Sequence, residues 1–436
     1  MFNNALIFFK KDFFEIRTLK EFLICCLAIS FPVNQKISTI LLVLTGIVSV
    51  FEFKKSDFLS FLKLTLPMIL LYIIYVISYA RDGLSFESYW FEKKASLLIF
   101  PIIFFNTDWP LKKRVLRLFV YGCIISYLIC LFTALYNSFD GVEFNFIKEI
   151  PNKKLKFTEA VDYNANRVLG TAFIITGFQR SYFSIYFCFA LLIVLNGFKE
   201  KKLAHRILII SILIVGIIQT WSLAGILSLF LVIAFTIFMN VKNLKSKLLF
   251  ILIASIGFVG VINLNNRAKF MYQTIVSGDL KIDGPTASAV RLRPWIASIN
   301  EIEKNPIWGY GIKNSQKALN SYYRSKLEKY PGFRWPLERK FNAHNQYFQF
   351  ILEIGVIGLL LFVLVVISFV NKVKNSSTDQ KLIGYGFLSL ILFNFLFESM
   401  MNRYMGISFI ALFLSLFLTI SRTPQNCIVR EMKKMI

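Results

Sequence analysis

The residues best suited to chemistry lie in one stretch of the chain, from Arg291 to Gly358. It opens with two arginines, Arg291 and Arg293, and leads to His344, one of two histidines in the chain, at the start of a long apolar segment. An imidazole titrates near pH ~6.5, so the neutral ring can take a proton from a hydroxyl group at pH 7. Guanidinium groups suit paired hydrogen bonds to phosphate. The stretch therefore predicts an active site held at a membrane face, with His344 as a candidate general base.

Structural alternatives stay open for the same residues. His344 could start a helix at the membrane interface and make a single hydrogen bond. The two arginines could form salt bridges with Glu301 or Glu303, or contact lipid headgroups. The Pro-Trp pair that follows them predicts a short amphipathic helix over Pro294–Lys304, which would place the arginines at a helix N-terminus, where anions bind well.

Further candidate residues lie at the ends of apolar segments. Arg180 and Tyr182 begin one of them, in GFQRSYFSIYF. An arginine there either extends to the membrane interface or points into a polar cavity. We predict that Arg180, Tyr182, Arg293 and Asn345 bind substrate.

Glu353 follows His344 by nine residues. On a continuous helix, with about 100° per residue, the two side chains would lie on roughly opposite faces. Glu353 is therefore predicted to bond a neighbouring helix rather than His344. Glycines with predicted structural roles, in close helix packing or in the aromatic turn NPIWGYG, are Gly355, Gly358, Gly309 and Gly311.

Metal chemistry is weakly supported. The acids Asp82, Glu87 and Glu92 are the one faint candidate group, and the sequence has no CxxC pair or histidine cluster. The second histidine, His205, lies in a basic loop and is predicted to be solvated. None of the six cysteines falls in a long polar loop, so no disulfide framework is expected. We predict no metal and no cofactor.

The composition places these residues in a membrane. The chain has 436 residues, 56% of them hydrophobic, and repeated apolar runs of about 20 residues match the ~30 Å hydrocarbon core of a bilayer. We predict an all-α polytopic protein with about twelve transmembrane helices, because helices satisfy their own backbone hydrogen bonds in lipid. The net charge of +25 is explained by orientation signals and lipid headgroup contacts, so nucleic-acid binding is not expected. The predicted spans are Glu21–Val33, Ile37–Phe53, Phe58–Ala80, Lys94–Phe105, Val115–Tyr136, Tyr182–Gly197, Ile207–Trp221, Ala224–Met239, Leu248–Leu264, His344–Val370, Leu382–Glu398 and Tyr404–Ile420.

Lysine and arginine concentrate in the short loops on one side of these spans. The positive-inside rule then places both termini in the cytoplasm and two long loops, residues 137–181 and 265–343, on the outer side. Both long loops are also basic, which an anionic ligand on the outer face would explain. The predicted units are N-terminal membrane helices (1–264, spans one to nine), a large periplasmic loop between spans nine and ten (265–343), C-terminal membrane helices (344–421) and a cytoplasmic tail (422–436).

Two motifs resemble the O-antigen ligase and O-antigen polymerase superfamily. The segment Glu398–Phe409 (ESMMNRYMGISF) is similar to the final outer turn of that family. The first motif, R-L-x-x-W followed by I-x-x-x-P-I-x-G-x-G, consists of Arg291, Leu292, Trp295, Ile302, Pro306, Ile307, Gly309 and Gly311. The second motif, H-N-x-x-x-x-x-x-x-E-x-G-x-x-G, consists of His344, Asn345, Glu353, Gly355 and Gly358.

The resemblance implies inverting, metal-independent glycan transfer of the GT-C type at the periplasmic face of the bacterial inner membrane. The donor would be a glycan on undecaprenyl diphosphate. The acceptor would be a sugar hydroxyl, of lipid A-core in a ligase or of another lipid-linked glycan in a polymerase. Arg291 would hold the diphosphate, and His344 would activate or position the acceptor. The motifs do not separate the two reactions, and we favour the ligase.

One position departs from the family pattern. Many relatives have a Ser-Arg pair between the seventh and eighth spans, where this chain has Leu223 in place of the arginine. Arg180 or another loop arginine would then replace it, or the site has diverged. Two other functions stay open: a protein O-oligosaccharyltransferase with the same donor, and a transporter of lipid-linked glycans. Charged or broken helices along a membrane path would favour the transporter.

Overall fold

A computed structural model describes residues 16–53, 55–81, 89–138, 179–199, 201–220, 222–264 and 287–420. The regular secondary structure of these residues is helical. The α-helices are α1 (Ile16–Ser30), α2 (Gln35–Phe51), α3 (Phe58–Arg81), α4 (Tyr89–Phe105), α5 (Trp109–Ser138), α6 (Arg180–Gly197), α7 (Leu203–Gln219), α8 (Leu223–Asn240), α9 (Leu244–Leu264), α10 (Ala287–Lys304), α11 (Ile312–Leu327), α12 (Arg334–Glu338), α13 (Gln346–Val373), α14 (Thr378–Phe395) and α15 (Tyr404–Leu418). Short 3-10 turns occur at Lys55–Asp57, Pro331–Phe333 and Met400–Asn402.

The predicted class, an all-α polytopic membrane protein, is confirmed, because each predicted span falls on one of these helices. The predicted number of twelve is not confirmed. A helix of 17 residues is about 26 Å long, short of the ~30 Å core. Five segments of the described chain are long and apolar enough to cross a membrane: Lys55–Arg81, Trp109–Thr133, Arg180–Gly197, Leu223–Asn240 and Gln346–Val373. Shorter apolar helices are Gln35–Phe51, Leu203–Gln219 and Tyr404–Leu418.

Several predicted features lie outside the described residues. These are most of the loop 137–181, the first part of the loop 265–343, and nearly all of both termini.

Helix α6 lies at the centre of the bundle, and nearly all of its side chains are buried. Phe189 packs against Phe387 of α14 and against Phe409 and Phe413 of α15, with ring centroids 4.5–5.7 Å apart. Such aromatic pairs add about 0.5–1.5 kcal/mol each beyond simple burial. This packing fixes α6 against α14 and α15.

The described part of the large loop, residues 287–343, has a small core of its own. It is formed by residues from α10, from α11 and from the following turns, together with one residue of α13. Its members are Ala297, Leu319, Tyr323, Phe333, Ala343 and Leu352. The loop is therefore packed directly on the helix that follows His344.

Helix α13 is interrupted at Gly355, whose φ is 70° and ψ is −176°. The segment Pro306–Gly311, here called the inserted segment, bonds to the backbone at this interruption. Tyr310 N donates to Leu352 O at 2.7 Å, and Gly311 N donates to Glu353 O at 3.1 Å. These bonds satisfy carbonyl groups that a broken helix would otherwise leave without partners in an apolar environment.

Backbone conformation or close backbone approach explains three glycines of the two motifs. Gly309 and Gly311 have φ values of 63° and 95°, in the region that favours glycine. A Cβ on Gly309 would lie 2.6 Å from Ile351 O, and a Cβ on Gly355 would collide with Ile307 O. The expectation that Gly355 allows helix packing is therefore corrected: it admits the inserted segment, because the helix is not continuous there.

Candidate active site

Glu398 brings Arg291 and His344 together. Arg291 Nη2 lies 3.6 Å from Glu398 Oε1, and His344 Nδ1 lies 3.9 Å from Glu398 Oε2. Side-chain exposures are 27% for Arg291, 24% for His344 and 17% for Glu398, so the cluster is sheltered but reachable by a ligand. The Arg291 guanidinium also lies 5.5 Å from the ring centroid of Phe397, a cation–π distance.

His344 is held in an uncommon backbone conformation. Its φ is 46°, which costs energy for a residue other than glycine and is typical of functional sites. Its backbone is held on both sides, because His344 N donates to Asn342 Oδ1 at 3.0 Å and Trp295 Nε1 donates to His344 O at 3.4 Å. The Phe341 ring stands edge-on to the imidazole with centroids 5.1 Å apart. These contacts fix the direction of the ring.

The charges around Glu398 keep it ionised. Burial alone would raise the pKa of the Glu398 carboxyl, but the interaction with His344 and the charges of Arg291 and Arg403 outweigh it and lower that pKa below its ordinary value. The carboxylate is therefore available to stabilise a protonated imidazole.

The two arginines of the first motif face different surroundings. Arg293 is 2% exposed, and a Cβ on Gly332 would meet its guanidinium. Two residues on a helix differ by about 200°, so Arg291 and Arg293 lie on opposite faces of α10. The structure thus brings Arg291 to the cluster and leaves Arg293 inside the loop core.

The predicted start of this helix at Pro294 is wrong. α10 begins at Ala287 and carries Pro294 in its interior. Both arginines therefore lie within the helix and not at its N-terminus. The predicted salt-bridge partner Glu301 instead pairs with Lys304 Nζ at 2.6 Å and accepts from Tyr310 Oη at 2.9 Å.

Asn345 caps α13. Its Oδ1 accepts from Tyr347 N at 2.9 Å and Phe348 N at 3.1 Å, and its Nδ2 donates to Leu396 O at 3.4 Å. The predicted helix start at His344 is thus moved to Gln346. The structure places Asn345 next to the cluster, with its amide used for the backbone.

Arg403 lies at the same end of the bundle. Its charge contributes to the lowered pKa of Glu398. The Gln179 side chain, with its amide oxygen facing Arg403, accepts from Nη1 at 2.7 Å and from Nη2 at 3.2 Å. Gln179 immediately precedes Arg180, the first residue of α6. The predicted residue Arg180 therefore begins the helix that is bonded to the turn carrying Arg403.

Tyr182 is buried beneath that turn, with 1% of its surface exposed. A Cβ on Gly406 would lie 2.8 Å from Tyr182 Cε1. This places the ring under the start of α15, within electrostatic range of Glu398 and Arg403.

Glu353 contacts a neighbouring helix. Its Oε2 lies 3.8 Å from Lys94 Nζ of α4, and both side chains are at most 2% exposed. Gly358 packs against the side chain of Ile354 in its own helix.

Among the described residues, no group of three histidine, cysteine or carboxylate side chains could hold a metal ion. Asp82 and Glu87 lie outside the described part of the chain.

Sequence reasoning missed Glu398, Arg403 and Lys94. In the segment Glu398–Phe409, the Glu and the Arg are charged groups between two apolar segments. That signal could have added them to the site. Lys94 carried no comparable signal, because a lysine at the edge of an apolar segment usually extends to the interface.

Fold and site together define a polytopic helical membrane protein with a charged cluster at one end of its bundle. Residues 207–363 match the sequence model of a family described as O-Antigen ligase, and this range includes both motifs. The chain is 30% identical over 236 residues to a candidate polysaccharide ligase of Rickettsia conorii. The aligned region covers 52% of this chain and 54% of the relative. It is 34% identical over 97 residues to a candidate polysaccharide ligase of Rickettsia felis, 22% of each chain. The predicted resemblance to the O-antigen ligase and polymerase superfamily is thereby confirmed, and the match spans about half the length of the first relative.

Proposed function

We propose that this protein transfers a glycan from undecaprenyl diphosphate to a sugar hydroxyl at the periplasmic face of the bacterial inner membrane. The observation that carries the proposal is the cluster in which Glu398 joins Arg291 and His344. Two members of this cluster lie inside the region that matches the O-antigen ligase family. A base, a carboxylate that stabilises its protonated form and a phosphate-binding guanidinium are the groups that this reaction needs.

In the proposed reaction, the acceptor hydroxyl oxygen attacks the anomeric carbon of the donor sugar. The bond from that carbon to the diphosphate oxygen breaks, and its electron pair leaves with the diphosphate. Attack from the side opposite the leaving group inverts the anomeric configuration. The hydroxyl proton passes to His344. Because Nδ1 faces Glu398, we assign Nε2 as the nitrogen that accepts it, and the carboxylate stabilises the imidazolium.

Arginine side chains are proposed to stabilise the leaving diphosphate. Arg291 is the first of them, because its guanidinium is both held by Glu398 and partly exposed. Fixed positive charges beside a developing negative charge lower the barrier most when water is excluded. They supply the role that a divalent cation has in metal-dependent transferases, so we propose that the reaction needs no metal.

We assign the role of the missing family arginine at Leu223 to Arg180. Helix α8 begins at Leu223, and a Cβ on its Gly225 would collide with Ser184. Ser184 lies one turn after Arg180 on α6, so the start of α8 is close to the arginine at the start of α6. Arg403 is the second candidate for this role.

We place the acceptor in the lipid A-core class, which makes the reaction O-antigen ligation. The names of the two relatives favour ligation of a polysaccharide. The alternative is polymerisation of O-antigen or exopolysaccharide, which shares the donor and the cluster.

Deletion of the gene, followed by silver-stained lipopolysaccharide gels and analysis of carrier-linked glycan, tests this proposal. We expect loss of the ladder on lipid A-core while long chains accumulate on the carrier. A single repeat unit left on the core, without long chains on the carrier, would show a polymerase. An unchanged lipopolysaccharide would contradict both and direct the search to another acceptor.

The proposed topology has its own test. A cysteine placed at the exposed Arg334 should react with a membrane-impermeant thiol reagent from the periplasmic side of the membrane. Reaction from the cytoplasmic side alone would contradict a periplasmic active site.

A further inference from the structure

Lys94 is a buried lysine that none of the proposed catalytic steps uses. It lies on α4 and is 1% exposed. Its Nζ donates to Met401 O at 2.7 Å, lies 3.8 Å from Glu353 Oε2 and is 4.0 Å from the ring centroid of Tyr75. The lysine therefore joins α4, α13 and the turn Met400–Asn402 at one point.

The second partner, Glu353, leads to His344. Gln349 Nε2 donates to Glu353 Oε1 at 2.9 Å, and Gln349 Oε1 accepts from Ala343 N at 3.1 Å. Ala343 immediately precedes His344. A continuous set of polar contacts thus runs from the ammonium of Lys94 to the backbone on which His344 is held.

The first partner, Met401, leads to Glu398 and Arg403. Its carbonyl accepts from Lys94, and its amide donates to Gln346 Oε1 at 2.7 Å. The turn between Glu398 and Arg403 is therefore held at both backbone groups of one residue.

We infer that Lys94 and Glu353 are positioning residues that set the distance between His344 and Glu398. One arm of the buried network holds the backbone before His344, and the other holds the turn after Glu398. A buried ion pair adds little stability compared with apolar residues of the same volume. We therefore infer that this pair contributes by fixing the positions of the backbone before His344 and of the turn after Glu398. Shifts of about 1 Å in reacting groups can cost on the order of 10²-fold in rate. The consequence for catalysis rests on the proposed function, whereas the placement itself does not.

The test compares Lys94→Met with the double variant Lys94→Met/Glu353→Gln. The single variant leaves a buried carboxylate without its ammonium and should lower the Tm. The double variant removes both charges, so its Tm should lie above that of the single variant. Its kcat should nevertheless stay about 10²-fold below wild type, with the donor KM changed by less than about threefold, because Met401 O still lacks its donor. A double variant that regains wild-type kcat together with its Tm would reduce the pair to a structural role and overturn the inference.

Lys112 provides a matched control. It is also 1% exposed, and its Nζ donates to Thr419 O at 2.7 Å and Thr419 Oγ1 at 2.9 Å, at the opposite end of α15 from Lys94. Lys112→Met should lower the Tm but leave the kcat of the folded protein near the wild-type value. An equal loss of kcat in Lys112→Met and in the double variant would contradict the inference.

A second readout is independent of the reaction catalysed. With His205→Gln as background, His344 is the one histidine in the chain, and its rate of carbethoxylation by diethyl pyrocarbonate reports its surroundings. The Lys94→Met/Glu353→Gln changes should alter this rate several-fold, and Lys112→Met should not. If no variant transfers glycan but this rate changes as expected, the proposed function fails and the positioning stands. An unchanged rate overturns the positioning.

Discussion

Replacing Gly355 by alanine should separate the inserted segment from α13. The residue has φ 70° and ψ −176°, a conformation that is essentially restricted to glycine. The added methyl group would also collide with Ile307 O. The helix and the inserted segment cannot both keep their present positions.

The expected cost follows from these contacts. Forcing a non-glycine residue into this conformation costs about 1–3 kcal/mol. Displacing the inserted segment removes the bonds from Tyr310 N, from Gly311 N and to Pro306 O, each with a net value of about 1 kcal/mol. The free energy of unfolding should therefore fall by about 4–6 kcal/mol.

Thermal unfolding of the purified protein in detergent and hydrogen exchange measured by mass spectrometry would check this prediction. Gly355→Ala should lower the Tm by several degrees and speed exchange at Tyr310 and Gly311. Gly260→Ala is the matched control, because a Cβ there meets no atom within 4 Å, and its Tm should stay the same or rise slightly. A Gly355→Ala protein with wild-type Tm and wild-type exchange would refute this account of the broken helix.

Three further predictions concern the active site. Arg291→Ala should lower kcat/KM for glycan transfer by about 10²–10³-fold with little change in Tm. Arg293→Ala should lower the Tm, because its buried guanidinium fills the loop core. A large loss of Tm in Arg291→Ala, together with a large loss of kcat/KM at unchanged Tm in Arg293→Ala, would contradict the site. Because the folded-state pKa of Glu398 is lowered, its contribution to stability should be complete above the ordinary value of about 4.3 and disappear as pH falls through the lower folded value. The Tm advantage of wild type over Glu398→Gln, measured against pH, should therefore shrink in acid, and an advantage that grows in acid would be inconsistent with this. Treatment with EDTA should leave transfer unchanged, and restoration of a lost activity by Mg²⁺ or Mn²⁺ would exclude the metal-free reaction.

The sequence was sufficient to predict the helical membrane class, and it singled out Arg291 and His344, which the structure places beside the same carboxylate. Apolar runs and a strong motif report these features directly. The number of membrane spans was harder to predict from the sequence. A helix of 15 residues such as α15 is shorter than the bilayer is thick, but it still packs within the bundle.

The partner of these residues could not be predicted from spacing. Glu398 lies 54 residues after His344, and only the packing of α13, α14 and α15 brings them together. The break at Gly355 was missed for a similar reason. The backbone of α13 is interrupted there by hydrogen bonds to the inserted segment, which lies more than 40 residues earlier in the chain. Local periodicity alone predicts a continuous helix.

Arg291 and Arg293 show how a small error in an element changes a role. Starting the helix at Pro294 places both arginines before it, where both could meet an anion. The helix that begins at Ala287 turns them to opposite faces, so one joins Glu398 and the other enters the loop core.

The central claim is tested most directly by glycan transfer with the purified protein. The assay would combine a glycan on undecaprenyl diphosphate with lipid A-core and compare wild type, His344→Ala and His205→Ala. We predict transfer by the wild type and by His205→Ala, and a loss of at least about 10²-fold in His344→Ala protein with an unchanged Tm. Transfer by His344→Ala at the wild-type rate would contradict the assigned site.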